Sequence, residues 1–247
     1  MNDMPKPSFK ECRLKGNNRE HAVLKFLSQD TFSDFKTLTK ITKIKDKGQN
    51  SRFIKNMVKK GLILKHEVNF VSNKIALWGI TLDGLAIMDE PLLPVFEPSR
   101  VRPSTLQHHL DNQFVRLTLE SKNCTNWING DRGEFFKKYN IKHRPDGIIT
   151  LPSGHNVAIE TERTLKRNKQ RYQSIMTSHL LGRQKKIWHR VFYVVPTSKQ
   201  KAALQIMFND IKFVMINGQP VNLEEKHQKT FKFFTYAELE NLSEVTI

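Results

Sequence analysis

The chain has 247 residues, which is enough for one large or two small packed domains. It carries 41 lysine and arginine residues against 24 aspartate and glutamate residues, so its formal net charge is +17. This excess favours a polyanionic partner, above all nucleic acid, with an anionic membrane surface as the competing polyanion. Two cysteines, no long apolar run and no apolar signal core in the first five residues argue against disulfide-stapled and membrane-spanning classes. We therefore predict a cytoplasmic protein without a membrane span.

The first part of the chain has the pattern of a winged helix-turn-helix. Apolar residues at helical or strand spacing predict helices over 19–27, 35–44 and 51–60, and wing strands over 62–64 and 75–78. Gly61 is placed to end the third helix as a C-terminal cap, and Thr81 to begin a last short helix as an N-cap. We assign residues 1–89 to this domain.

The third helix is the natural DNA-recognition helix of such a domain. Its exposed face is predicted to carry Gln49, Asn50, Arg52, Lys55, Asn56 and Lys59. Amide and guanidinium groups can read base edges bidentately, whereas lysine mainly contacts phosphate. The alternative is a domain used for protein contacts, in which these residues form a solvated basic face.

A proline-rich segment over residues 90–103 separates this domain from the rest of the chain and is typical of a semi-rigid spacer. Its apolar residues Leu92, Leu93, Val95 and Phe96 predict that it packs along a surface. From residue 104 to residue 247 the pattern becomes α/β. The predicted elements are helices over 104–120 and 197–209 and strands over 190–195, 211–216 and 231–234. The stretch around Trp127 and Gly130 is predicted to be irregular. Together these elements predict a mixed sheet flanked by helices.

A strand–turn–strand motif in the second domain carries the main candidate site. Branched apolar residues on either side of Pro152-Ser153-Gly154 predict a β-hairpin. If the hairpin is symmetric about Ser153, Asp146 faces Glu160 with Cβ atoms about 4.5–5.5 Å apart, and Glu162 lies on the same face. Three carboxylates in so basic a chain predict a divalent cation, and oxygen ligands suit Mg²⁺ or Mn²⁺ rather than Zn²⁺. The alternatives are an acidic hairpin face in solvent and a slipped register.

The segment after the hairpin is strongly basic. Between Arg163 and Arg190 the sequence contains no acidic residue, whereas a solvated helix face normally mixes the two signs. We predict a basic helix here, whose DNA contacts are Arg163, Arg167, Arg171 and Tyr172. Lys166, four residues beyond Glu162, is predicted to point back toward the carboxylates and to take part in catalysis.

The order Pro-Asp, hairpin, Glu-x-Glu resembles the core of the PD-(D/E)xK nuclease superfamily. Glu162 stands where most members have lysine, and a minority of restriction endonucleases in the superfamily have glutamate there. With a basic winged helix before it and a basic segment after it, the motif is similar to the replication-relaxation family, especially the MobC-class relaxases of mobilizable plasmids. The resemblance implies a restriction-endonuclease-like domain, metal-dependent catalysis by Asp146, Glu160 and Glu162, and a histidine typical of the family at His108. We assign His108 to DNA binding, and the alternative is a helix histidine that packs on the sheet.

The resemblance further implies a metal-dependent relaxase that nicks one DNA strand at a plasmid transfer origin, with accessory relaxosome or coupling proteins as partners. Tyrosine-dependent relaxases need a His-x-His strand, and this sequence has none, so we expect water activated by the metal to be the attacking group. Two alternatives remain open. One is a double-strand endonuclease of restriction or defence type, and the other is a non-catalytic DNA-binding regulator of plasmid replication or transcription.

Overall fold

The computed structural model describes residues 9–70, 73–90, 92–131, 133–139, 141–216 and 218–245. The chain divides into two compact units, of which the first ends at Gln113 and the second begins at Phe114. Helices and sheets make up both units, so the predicted α/β class is confirmed. Within the described ranges no helix is long and apolar enough to cross a membrane. The expectation of no signal core concerns residues 1–5, which lie outside the described residues.

The first unit combines helices with a small antiparallel sheet. Its helices are α1 (Phe9–Asp30), α2 (Phe35–Thr42), α3 (Lys47–Lys59), α4 (Leu82–Ile87) and the first part of α5 (Pro103–Glu120). Its strands are β1 (Phe32–Asp34), β2 (Ile63–Phe70) and β3 (Asn73–Ile80), in the order β1-β3-β2. Helix and strand follow one another in the predicted order, with the short strand β1 as an addition.

Capping groups explain where these helices begin and end. The side chain of Asp46 accepts a hydrogen bond from Gln49 N, so α3 begins at Lys47, four residues earlier than predicted. At its other end Gly61 has φ +75°, and its N–H donates to Val58 O, which is the left-handed glycine cap that the sequence predicts. The hydroxyl of Thr81 accepts from Gly84 N, which confirms the predicted N-cap of α4.

The segment between the two predicted domains packs on the first unit, which confirms the prediction that it lies along a surface. Phe96 is buried in a cluster with Leu77, Leu106 and Leu110. Its N–H donates to Ile80 O, which ties the segment to the sheet. Burial of Leu106 and Leu110 explains why residues 104–113 belong to the first unit, whereas the sequence placed them in the second domain.

A five-stranded mixed sheet dominates the second unit, with strand order β10-β7-β6-β5-β4. Its strands are β4 (Thr125–Asn129), β5 (Gly147–Thr150), β6 (Asn156–Thr161), β7 (Arg190–Val195) and β10 (Phe231–Thr235). A separate hairpin consists of β8 (Phe213–Ile216) and β9 (Gln219–Asn222). The helices are α6 (Gly133–Lys138), α7 (Lys169–Gln184), α8 (Ser198–Asn209), α9 (Glu225–Gln228) and α10 (Tyr236–Asn241).

Alternation along the strands gives the sheet two buried faces. On β7, Val191 and Tyr193 belong to one core cluster, which also contains residues of α7 and α8. Phe192 and Val194 belong to another, which contains residues of α5 and α10. Because both faces are covered, β7 is an almost continuous apolar run, and this is the feature that made it visible in the sequence.

Two sequence predictions for this unit are wrong, and a third holds only in part. The stretch around Trp127, predicted to be irregular, is strand β4. A register shift between Thr125 and Ile128 interrupts the alternation of inward and outward side chains that identifies a strand in a sequence. The run 211–216 contains the predicted strand as β8 (Phe213–Ile216), but this strand pairs with β9 outside the mixed sheet. The predicted basic helix does not begin at Arg163, because residues 162–168 are a loop and Asn168 caps α7.

Candidate functional site

The β5–β6 hairpin has the predicted register. Gly147 pairs with Ile159 and Thr150 with Asn156, so the hairpin is symmetric about Ser153. Asp146 lies immediately before β5, where its N–H donates to Ile159 O at 2.9 Å. Its carboxylate accepts from Thr161 N at 2.6 Å, and this bond holds the side chain against the end of β6. The predicted opposition of positions 146 and 160 across the hairpin is confirmed.

Glu160 is bound by two histidines that sequence analysis did not select. The Nε2 atoms of His143 and His179 each lie 2.9 Å from Oε1 of Glu160. Glu160 is 8% exposed and His179 is fully buried, whereas His143 remains partly open to solvent. Burial by itself would raise the pKa of Glu160, but the hydrogen bonds from the two histidines outweigh it and lower that pKa to about 2. Glu160 is therefore held as a carboxylate.

The two histidines come from different elements. His179 lies on helix α7, which follows Glu160 in the sequence, and His143 lies in the loop before β5, which precedes it. His179 lies on the buried face of α7, together with Tyr172, Ile175 and Met176. Its backbone oxygen accepts a hydrogen bond from Trp188 Nε1 at 3.0 Å, which fixes this turn of the helix. Its Nδ1 is buried and has no hydrogen-bond partner among the residues that the structure describes. Orphaned buried polar atoms of this kind are uncommon and often mark functional sites.

Glu162 has a different partner and a different electrostatic setting. The amine of Lys166 contacts Oε2 of Glu162, so the prediction that Lys166 points back toward the carboxylates is confirmed. Burial is the main cause that raises the pKa of Glu162, and the contact with Lys166 opposes it. Negative charge on Glu160 and Asp146 also raises the pKa of Glu162. The three carboxyl groups therefore interact with one another, but their tightest contacts are with other side chains.

The predicted ligand set changes in consequence. Ligand atoms of His143, Glu160 and His179 all lie within 4.8 Å of one another, an arrangement that could hold a metal ion. Asp146 and Glu162, which the sequence places with Glu160, are not members of this group. Two imidazole nitrogens and one carboxylate fit a divalent transition ion well, because imidazole and carboxylate are both common ligands for such ions.

Tyr172 cannot contact DNA in this structure, so its predicted role is wrong. It is fully buried, and its hydroxyl accepts a hydrogen bond from Lys166 N at 3.0 Å. Burial is the main cause that raises the pKa of Tyr172 to about 12. Tyr193, opposite Glu160 on β7, is also buried, as predicted for a core residue. Tyr172 instead supports the loop that carries Lys166.

The basic segment exposes much of its charge. Among its cationic residues, those that are exposed include Arg163, Arg167, Lys169, Arg171, Lys185 and Lys186. Arg163 and Arg167 lie in the 162–168 loop that directly follows the carboxylates, and Arg171 lies in the first turn of α7. The exposed cations therefore follow the carboxylates in the sequence, and a cluster of positive charge of this kind attracts polyanions.

In the first unit, helix α3 presents most of the predicted polar face. The exposed members are Gln49, Arg52, Lys55, Asn56 and Lys59. The predicted exposure of Asn50 is wrong, because this residue is fully buried and its side chain is hydrogen-bonded to Thr42 and Thr39 between α2 and α3. A cavity of about 380 Å³ beside α3 is lined by apolar groups, including Trp78, and by three lysines, Lys47, Lys55 and Lys65. His108 lies on α5 with its Nε2 3.4 Å from Asn112 Nδ2, and its contact with DNA stays a prediction.

Signals for the two missed histidines exist in the sequence but are weak. His143 lies three residues before Asp146, and His179 shares a helical face with Tyr172, Ile175 and Met176. A histidine on an apolar helix face is usually a core residue, and only the packing of α7 shows that this one reaches Glu160.

Comparison with protein-family models, with curated proteins and with solved structures found no match for this chain. The resemblance to the replication-relaxation family therefore depends on the motif residues and on their order along the chain.

Proposed function

We propose that the chain is a metal-dependent DNA endonuclease of the relaxase type, which nicks one strand at a plasmid transfer origin. One observation carries the proposal. A buried carboxylate with two imidazole partners lies near the end of β6, and the segment from Arg163 to Arg190, which begins three residues later, carries many exposed cations and no acid. The mixed sheet flanked by helices and the symmetric Asp146–Glu160 hairpin are also what the nuclease resemblance implies.

The residues of the site have distinct tasks in this proposal. His143, Glu160 and His179 would hold a divalent cation, which would lower the pKa of water and offset charge on the scissile phosphate. Asp146 is fixed by Thr161 N, so it can orient water or a phosphate oxygen without moving. Lys166 offsets charge near Glu162 and stands in for the lysine that the motif lacks. Exposed arginines, above all Arg163 and Arg167, bind the DNA backbone.

The first unit supplies affinity and sequence choice as a winged helix. Gln49, Arg52 and Asn56 on the exposed face of α3 have the side-chain types that read base edges, and Lys55 and Lys59 suit phosphates. Accessory relaxosome or coupling proteins would complete the assembly at the origin. Cutting and recognition thus belong to different units of the chain.

The test is cutting of supercoiled plasmid DNA that carries the segments flanking the gene for this chain, with an otherwise identical plasmid as control. We expect nicked circles with Mn²⁺ or Mg²⁺ and none with EDTA. Asp146→Asn should retain DNA binding and lose cutting, because it keeps the acceptor for Thr161 N but not the charge. Asp131→Asn, on an exposed side chain, is the matched control. Linear product would favour the double-strand endonuclease, and retarded DNA without cutting would favour the non-catalytic regulator.

A further inference from the structure

The metal-ligand atoms of His143, Glu160 and His179 indicate which class of cation this site binds. We infer that His143, Glu160 and His179 form a site for a first-row transition ion such as Mn²⁺ or Zn²⁺, in preference to Mg²⁺ and Ca²⁺. The inference deepens the proposed function and rests on it for the use of the ion, but the binding itself depends on geometry and ligand chemistry alone.

The three side chains converge closely enough to share one ion. Both histidine Nε2 atoms lie 2.9 Å from the same oxygen of Glu160, and the three ligand atoms are within 4.8 Å of one another. Ligands on one transition ion sit about 2.0–2.2 Å from it, so two of them are at most about 4.4 Å apart. Small side-chain rotations are enough to place all three around a common centre.

The nature of the ligands separates the candidate ions. Mg²⁺ and Ca²⁺ bind oxygen, and Mg²⁺ gives up its hydration water reluctantly. Imidazole suits Zn²⁺ best among these ions, and Mn²⁺ is the weakest transition ion in this respect but dehydrates more readily than Mg²⁺. Carboxylates are present nearby, yet Glu162 is engaged by Lys166 and Asp146 by Thr161 N. Each contact occupies one carboxylate oxygen, so an all-oxygen site would have to share Asp146 with Thr161 N and Glu162 with Lys166.

Burial and rigidity make this group a site and not a chance ion pair. Glu160 lies on a central strand and His179 on a helix packed over it, and neither can turn away without opening the core. The side chain of His143 is 30% exposed, so solvent and ions can enter from its side. Three protein ligands leave coordination positions open for water or phosphate, which is the feature that distinguishes catalytic from structural metal sites.

Electron paramagnetic resonance of Mn²⁺ tests the inference without DNA, because the signal of hydrated Mn²⁺ weakens when the ion binds protein. We expect the full chain to bind one Mn²⁺, Zn²⁺ to displace it, and about tenfold excess Mg²⁺ to leave most of it bound. Equal competition by Mg²⁺, or no loss of the Mn²⁺ signal, would overturn the inference.

Two variants locate the ion. His143→Ala, at a partly exposed position, should fold normally and weaken Mn²⁺ binding by at least about tenfold, since loss even of a group that supports a ligand costs about 10–100-fold. His155→Ala is the control. The His155 and His189 rings are 4.2 Å apart, but neither histidine belongs to the group of residues that could hold the metal. Unchanged binding in His143→Ala, or equal weakening in both variants, contradicts the site.

The two proposals can fail separately. Tight Mn²⁺ binding by a chain that never cuts DNA would contradict the nuclease function but support the metal site. Cutting by His143→Ala at the parental rate with Mg²⁺ alone would contradict the metal site but support the nuclease function.

Discussion

The imidazole Nε2 of His179 lies 2.9 Å from Oε1 of Glu160, and both side chains are buried between α7 and the central sheet. A second imidazole, from His143, contacts the same oxygen. A buried charge needs a compensating partner, so this contact decides both the ionisation of Glu160 and its chemistry. It also ties local stability to pH.

The pH dependence of stability should report this contact. The folded-state pKa of Glu160 is about 2, below its ordinary value of 4.5, so the carboxylate adds stability above pH 4.5 that disappears as the pH falls through about 2. In Glu160→Gln, unfolded by urea without metal, the loss of free energy of unfolding across this interval should shrink. If the variant and the wild type lose stability in parallel there, the histidine contacts do not stabilise the charge.

Glu162 should behave in the opposite way. Its folded-state pKa is raised by burial, so folding favours the protonated form, and stability is lost as the pH rises through that raised pKa. Glu162→Gln should therefore have a higher Tm than the wild type at about pH 7, and the gain should vanish at about pH 4, where Glu162 is protonated in both states. Glu67→Gln, at an exposed carboxylate paired with Lys65, is the control and should show little change at either pH. A Tm gain that persists at about pH 4 would exclude the ionisation of Glu162 as its cause.

Helix α3 should separate recognition from stability. Arg52→Ala, at an exposed position, should leave the free energy of unfolding unchanged and reduce discrimination between DNA sites by about 1–3 kcal/mol. Asn50→Ala should destabilise the chain by about 1–3 kcal/mol, because Thr42 and Thr39 lose buried hydrogen-bond partners. Urea unfolding and competition binding on the two variants check both effects. An unchanged DNA footprint in Arg52→Ala would favour a unit used for protein contacts.

Tyr172→Phe distinguishes hydrolysis from a tyrosine mechanism. The hydroxyl is buried, its pKa is raised to about 12, and it accepts a bond from Lys166 N. We expect nicking at nearly the parental rate, no protein attached to the cut DNA, and a loss of stability of about 0.5–1.5 kcal/mol for one hydrogen bond. Protein-linked DNA that survives boiling in detergent, and that is missing in the variant, would contradict this mechanism.

Local pattern was sufficient where a feature is formed by neighbours in sequence. The cap at Thr81 and the glycine end of α3 depend on residues within one turn, and both were predicted correctly. The same holds for the hairpin, because a short turn fixes which residues of β5 and β6 face each other. The opposition of Asp146 and Glu160 could therefore be read from the sequence, as could the contact of Lys166 with Glu162 four residues away.

Errors occurred where tertiary packing overrides local pattern. Asn50 and Tyr172 have the residue types of DNA-contacting side chains, but packing of their helices turned both of them inward. Strand β4 has a bulge that breaks alternation, and it is identifiable only by its pairing with β5.

By itself, the sequence determined the charge of this protein, its α/β class, the order of most of its helices and strands, and the carboxylates at the end of the hairpin. Only the tertiary structure decided which groups surround Glu160. His143 and His179 lie 17 and 19 residues from it, and their approach depends on the loop before β5 and on how α7 packs over the sheet. Side-chain periodicity tells which face of an element is buried, but the neighbour that each buried group meets depends on the packing of distant segments.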